Sequence, residues 1–373
     1  MNEDRVTKWI ELLYRIEEMR IQKELDEEAM AEQKDRTLAA FRKSKAGESG
    51  KLRRHVFKTM RWAAVVIMVI GIPAAIYIVY QDRAPDYSLM LEEISDQQMD
   101  ENTSLILSDG SAIAIESDQS VITYDRSGEK VKIEAEQTIS LDHLKETEKK
   151  EVLYNRLVVP YGRQSTITLC DGTVIWLNAG SYLIYPREFS GKKREVYLAG
   201  EGYFQVKGDR DRPFVVTTDD LEIEVLGTVF NVNSYPETRE VETVLVEGSV
   251  KVSKSDARNP LKGSRVIHPG QLVTYSRESE KFSTREVDVE FYISWKDGYF
   301  LCDKITLERL AQKLSRHYNV QIVVEDELLK RTTFSGKLDN KESVLEVLEI
   351  INASKSIDYH REGGAILIRR GDR

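Results

Sequence analysis

Apolar residues fall into three rhythms along the chain. The first is helical. Over residues 1–46, Val6, Ile10, Leu13, Tyr14 and Ile16 return near the 3.6-residue period, with Trp9 beside the stripe and no glycine or proline before Gly47. The second rhythm has no period. Residues 62–80, WAAVVIMVIGIPAAIYIVY, hold no ionisable side chain except tyrosine hydroxyls. Crossing a bilayer takes about 20 apolar residues, and tyrosine and tryptophan at both ends sit well at the interface. Gly71 and Pro73, poor in a soluble helix, are tolerated in lipid. This stretch predicts a single transmembrane helix.

The third rhythm is period two and begins near Ser104. LILSDGSAIAI (105–115) and ITLCDGTVIWL (167–177) each place Asp-Gly between alternating apolar residues. Such a pair predicts a hairpin turn with positive φ at both turn residues. Further strands are expected at 195–198, 202–206, 214–217, 221–226, 229–233, 241–246, 249–252 and 271–275, punctuated by glycine. Many short strands predict an all-β domain: a sandwich, a jelly roll or a β-helix-like stack. From about Trp295 the pattern becomes β-α-β-β-α-β-β. Leu307, Leu310, Ala311, Leu314 and Tyr318 mark one helix face; Val344, Leu345, Leu348 and Ile351 mark another after a cap at Asn340. That predicts a small α+β module.

Charge orients the chain. Eight lysines and arginines lie within residues 42–61, whereas only Arg83 follows the apolar stretch closely, the next being Arg126. Basic residues beside a span stay in the cytoplasm, so residues before Trp62 are expected inside and those after Tyr80 outside. A net charge of −9 argues against a nucleic-acid partner. The inside helix is too short to cover a core of its own, so its apolar stripe is expected either to bind a partner or to extend the anchor. Cys170 and Cys302 both fall on the exported side, either as a disulfide or as two buried free thiols.

No catalytic constellation is present. His55, His143, His268, His317 and His360 are scattered, and no phosphate loop or nucleophile elbow occurs. The expectation is a protein that is not an enzyme and carries no cofactor and no metal. Trp176, Tyr182, Tyr185 and Trp295 are core residues or, in a second reading, sugar-stacking aromatics. Gly227-Thr228 lies between two strands. A hydroxyl after glycine at a strained turn can attack the preceding carbonyl, but on spacing alone a glycine that merely bends the strand is the better reading.

The run VVPYGRQSTITLCDGTVIWLNAGSYLIYP, then REVYLAGEGYFQV, PFVVTT, LEIEVLGTVFNV and VETVLVEGSVKV (158–252), resembles FecR-family anti-sigma regulators; residues 299–368 resemble the carboxy-terminal domain that accompanies them. The resemblance implies an organisation with a cytoplasmic helical segment (1–61), a transmembrane helix (62–80), a periplasmic linker and accessory β region (81–157), a FecR β domain (158–294) and the α+β domain (295–373). It implies inner-membrane residence with a cytoplasmic N-terminus. The implied partners are an extracytoplasmic-function sigma factor, contacted through Val6, Trp9, Ile10, Leu13 and Tyr14, and the signalling domain of a TonB-dependent transporter. In some relatives the chain breaks itself at the bond matched by Gly227-Thr228. Two other readings stand beside this one: a membrane-anchored periplasmic saccharide-binding module, and an envelope enzyme disfavoured by the absent constellation.

Overall fold

Alternation becomes strands and Asp-Gly becomes turns, but with a different geometry from the one expected. The computed structural model describes Tyr87 and residues 101–134, 137–141, 152–255, 263–339 and 343–371. The helix expected over residues 1–46, the apolar stretch at 62–80 and the expected cap at Asn340 lie outside the described residues. Among those described, no helix is long and apolar enough to cross a membrane.

Strands run in chain order as β1 Thr103–Ile106, β2 Ala112–Ile115, β3 Gln119–Tyr124, β4 Lys130–Ile133, β5 Gln137–Ser140, β6 Tyr154–Val159, β7 Gln164–Thr168, β8 Val174–Leu177, β9 Ser181–Pro186 and β10 Arg194–Gln205. They continue as β11 Phe214–Thr217, β12 Leu221–Val225, β13 Val229–Ser234, β14 Glu240–Glu247, β15 Val250–Lys254, β16 Arg265–Ile267, β17 Gln271–Ser276 and β18 Lys281–Glu286. One sheet reads β2-β1-β6-β9-β10-β11-β12-β15-β16. The other reads β5-β4-β3-β7-β8-β10-β13-β14-β17-β18. Inward side chains from both sheets form one core, from Leu105 to Tyr275. This is a sandwich; antiparallel pairings dominate, and the described strands form no β-helix-like stack.

Strand β10 belongs to both sheets. The sequence suggested two strands separated by turn glycines at 200 and 202. Instead one 12-residue strand bends at Gly200, pairing β9 before the bend and β8 and β13 after it. Gly200 has φ +117°, and a Cβ there would lie 2.4 Å from the Ser181 hydroxyl oxygen, so the bend requires glycine. The expected break at 157/158 runs through β6. Strands before and after it share a core because β1 pairs with β6 and β3 with β7.

In both Asp-Gly hairpins only the glycine has positive φ, +86° at Gly110 and +85° at Gly172. The Gly172 amide donates to Leu169 O at 2.9 Å, a type I turn followed by a left-handed glycine. Asp171 accepts from the Thr173 amide at 2.9 Å and hydroxyl at 2.8 Å, and Asp109 does the same for Ser111. An aspartate satisfied by its own turn competes well with the two-residue alternative. The expected double positive φ occurs instead at Gly363-Gly364, with +57° and +89°.

The carboxy-terminal module starts with a short helix α1 (Glu290–Ile293) and a 3₁₀ turn (Ser294–Asp297), followed by β19 (Tyr299–Thr306), α2 (Leu307–Tyr318), β20 (Ile322–Val324), α3 (Glu327–Arg331), β21 (Thr333–Asp339), α4 (Val344–Lys355), β22 (Ile357–Glu362) and β23 (Ala365–Arg370). Its strands divide into a pair, β19-β21, and a triplet, β20-β23-β22. Helix α2 starts at Thr306, whose side chain accepts from Arg309 N, and ends at Asn319 in the left-handed region. The cap of α4 is Ser343, in a reciprocal capping box with Glu346.

Both cysteines are free. Cys170 packs against the sandwich core and Cys302 lies within the module's core. Burial pushes the Cys302 thiol up to about 11. Its native form therefore holds a proton that the unfolded chain releases near 9, so this group's contribution to stability is present below about 9 and lost as pH rises toward 11. Native protein at pH 8 should react with a thiol reagent far more slowly than denatured protein, whose two thiols titrate at once without reductant. A denatured, unreduced sample with no reactive thiol would show a disulfide instead.

Candidate functional site

Period two gives each strand of the second sheet an outer face, and on β10, β13 and β14 that face mixes polar residues with Tyr203, Val244 and Val246. Glu201, Asn231, Asn233 and Glu242 point outward while Phe204, Phe230, Val232 and Leu245 fill the core. The outward residues are themselves buried, because the carboxy-terminal module covers them. Glu201 is 3% exposed, Asn231 2% and Glu242 5%. A buried carboxylate needs partners, and Glu201 has them. Its oxygens accept from Asn178 Nδ2 at 2.9 Å and Asn231 Nδ2 at 3.1 Å. Asn231 Oδ1 in turn accepts from the Trp295 indole at 3.3 Å.

These residues come from separate motifs: Asn178 from LNAGS, Glu201 from LAGEGYF and Asn231 from LGTVFNV. A second link joins LNAGS to LAGEGYF and to the segment just after LGTVFNV: the buried Tyr235 hydroxyl donates to Ala179 O at 2.7 Å, and Ser181 exchanges hydrogen bonds with the Glu201 backbone. Burial raises the Tyr235 hydroxyl far above its ordinary range, so it remains a donor. Trp295 lies in the module's core, with Trp176 and Tyr203 of the sandwich packed against that core. The motifs thus converge on the seam between sandwich and module.

Above the carboxylates runs α2. Arg309, Lys313 and Arg316, spaced by four and three, share one face of it. Arg309 pairs with Glu242, and Arg316 pairs with Glu237 at 2.9 Å while its guanidinium lies 3.9 Å from the Tyr235 ring centroid. The Gly162 amide also donates to Arg316 O at 2.8 Å, fixing the end of α2 on the sandwich. Burial pushes the Lys313 ammonium below the usual lysine range, with the Glu201 carboxylate pulling the other way. Between helix and sheet lies a cleft of about 600 Å³. Ion pairs across it join two separately cored units.

The expected site residues are placed as follows. Val6, Trp9, Ile10, Leu13 and Tyr14 lie outside the described residues. Gly227 bends the chain between β12 and β13 at φ +149°, against Gly208. Thr228 is buried, and its hydroxyl donates to Ser249 O at 3.0 Å. No carboxylate or imidazole among the described residues is hydrogen-bonded to that hydroxyl. Of the aromatics singled out for sugar stacking, Tyr185 and Trp295 are buried, Trp176 packs edge-on against Tyr203, and Tyr182 is half-buried, so the four form no exposed row. Among the described residues no cluster of histidine, cysteine and carboxylate could hold a metal. Sequence reasoning passed over Glu201 and the basic face of α2. A carboxylate at an alternating strand position and cations at 309, 313 and 316 were the available signals.

The family model described as FecR protein matches residues 155–251, and that described as FecR, C-terminal matches residues 299–368. Two crystal structures of a candidate anti-sigma factor from Parabacteroides distasonis ATCC 8503 are similar. One, at 1.65 Å, is 28% identical, with a TM-score of 0.54 over 58% of this chain and 99% of that one. The other, at 2.50 Å, is 27% identical, with a TM-score of 0.54 over 59% and 100%. No curated protein matches the chain.

Proposed function

From a chain that carries a FecR domain and a FecR C-terminal domain, we propose a membrane-spanning anti-sigma regulator. Residues 1–61 bind an extracytoplasmic-function sigma factor in the cytoplasm, residues 62–80 cross the inner membrane, and the two folded domains face the periplasm. There they receive a signal from the amino-terminal extension of a TonB-dependent transporter. The observation that carries this reading is the packed pair of domains, similar across nearly the whole chain of both solved structures described as a candidate anti-sigma factor. Before the pair, this sequence carries an amphipathic stripe and an apolar stretch, which serve as a reader and an anchor.

A periplasmic contact can shift the regulator only by binding two of its states with different affinity. A lone helix transmits little, so proteolysis of the regulator is the more economical output. Self-cleavage belongs to the same proposal: Thr228 Oγ1 attacks the Gly227 carbonyl carbon, the Gly227–Thr228 amide gives way to an ester, and water hydrolyses that ester to a Gly227 carboxylate. A blot of the native chain should then show fragments 1–227 and 228–373, and Thr228→Ala should show neither. A single full-length band from the unaltered chain would remove the cleavage step alone.

Affinity capture tests the main reading. The tagged full chain should retain a sigma factor from its own cell. Replacing Trp9, Ile10 and Leu13 by alanine should reduce recovery at least tenfold at equal expression. Equal recovery with the triple variant, or no sigma factor from either chain, would contradict it.

A further inference from the structure

The cleft between α2 and the second sheet is larger than its ion pairs require. Its walls are tied at two places, Glu242 to Arg309 and Glu237 to Arg316. Between those ties, three polar side chains that are not exposed line the cavity without a hydrogen-bond or ion-pair partner among the described residues: Asn233 on β13, and Gln312 and Lys313 on α2. Asn233 is only 8% exposed. Gln312 and Lys313 are half-buried, and the polar atoms of all three open onto the cleft, where a ligand can satisfy them. Lys313 and Glu201 feel each other electrostatically yet are not an ion pair. The space between them is open.

The lining also limits what can enter. It holds six acidic and six basic side chains. A ligand of strong net charge would meet as many repulsive groups as attractive ones, or would have to displace one of the ties. Glu201 already accepts two amide donors, which makes it a poor sole partner for a ligand ammonium. What remains is an ammonium donor, two amides able both to give and to accept, and carboxylate lone pairs, with Phe291 and Tyr292 at the wall. Hydroxyl groups meet all of these, since each donates and accepts. The volume lies within the range of small-ligand sites, which favour domain interfaces.

We infer that this cleft binds a small, uncharged, hydroxyl-rich molecule of monosaccharide to disaccharide size, gripped by the FecR domain through Asn233 and Glu201 and by the C-terminal domain through Gln312 and Lys313. Such a ligand contacts both domains at once and strengthens their apposition. The inference is independent of sigma-factor binding and of the transporter contact. It also does without the exposed row of aromatics that a conventional sugar platform would use.

Saturation-transfer NMR on the purified full chain tests it. The probes, each at 10 mM, are the methyl glycosides of glucose, galactose, mannose, xylose and N-acetylglucosamine, together with maltose and cellobiose. Galacturonate serves as the anionic comparison and glycine as the zwitterionic one. At least one neutral sugar should give a signal that Lys313→Met weakens at least tenfold, with Lys281→Met, an exposed position on β18, unchanged. Asn233→Ala, measured in parallel, keeps the test decisive should Lys313→Met fail to fold. No signal from any neutral sugar, a signal untouched by both cleft variants, or a signal only from galacturonate or glycine would each overturn the inference.

Discussion

Replacing Arg194 with methionine should destabilise the sandwich by about 3–5 kcal/mol, the usual cost of removing one partner from a buried ion pair. The side chain is 1% exposed and lies inside a protein interior. Its guanidinium donates to Asp171 at 2.7 Å, to Lys207 O at 2.8 Å and to Arg212 O at 2.9 Å, and sits 5.5 Å from the Phe214 ring centroid. Asp171 is the residue that closes the second Asp-Gly turn through Thr173, and the Thr173 hydroxyl accepts from the Lys207 amide at 3.2 Å. Arg194 therefore ties a hairpin, the start of β10 and the strand-end segment before Phe214 into one knot. Without it the Asp171 carboxylate stays buried with only its own turn for company. For a folded region of this size the loss corresponds to a fall in melting temperature of roughly 6–20 °C. Arg194→Met combined with Asp171→Asn should recover part of it, because the uncompensated charge is then gone. Calorimetry on the three proteins checks both statements. A single variant as stable as the parent would mean that the pair is not buried as described.

Trp295→Ala should cost about 3–5 kcal/mol, as large-to-small core changes involving tryptophan do, and it should separate the two domains thermally. The indole is 3% exposed within the module's core, and its Nε1 is the hydrogen-bond link to the Asn231–Glu201–Asn178 cluster. Two losses coincide: a cavity in the smaller domain and an unanswered amide on the larger one. Unfolding of the unaltered pair should be cooperative across the seam. In the variant the module should melt first, leaving the sandwich transition close to its original temperature. One undivided transition at the parental temperature would show that the seam does not couple the domains.

What the sequence revealed depended on whether the deciding interactions were local. Alternation and glycine spacing located most strands, and the helix face at Leu307–Leu314 was evident because periodicity is a local property; on α4 the reading was partly wrong, since Leu345 is exposed and Val347 joins Leu348 and Ile351 on the buried face. The join of 195–198 and 202–206 into one strand was not legible. It depends on Ser181, nineteen residues upstream of Gly200, leaving room for no side chain. The Asp-Gly turns were found but mistyped, since an aspartate that bonds its own turn selects a type I turn over the mirror form. The cap at Ser343 was missed in favour of Asn340 because the capping box needs Glu346 at the third helical position, a pairing easily overlooked beside a nearer asparagine. The seam was hidden for a different reason. Asn178, Glu201, Asn231 and Trp295 are each ordinary in their own strand or turn, and only sheet pairing brings them together.

The regulatory account rests on the chain being divided between two compartments by residues 62–80. Alkaline phosphatase, which is active only after export, reports this directly when fused after Arg373 in one strain and before Met1 in another, with equal expression confirmed by blot. The account predicts high activity for the carboxy-terminal fusion and background activity for the amino-terminal one. The opposite pattern, or activity from neither, would contradict it.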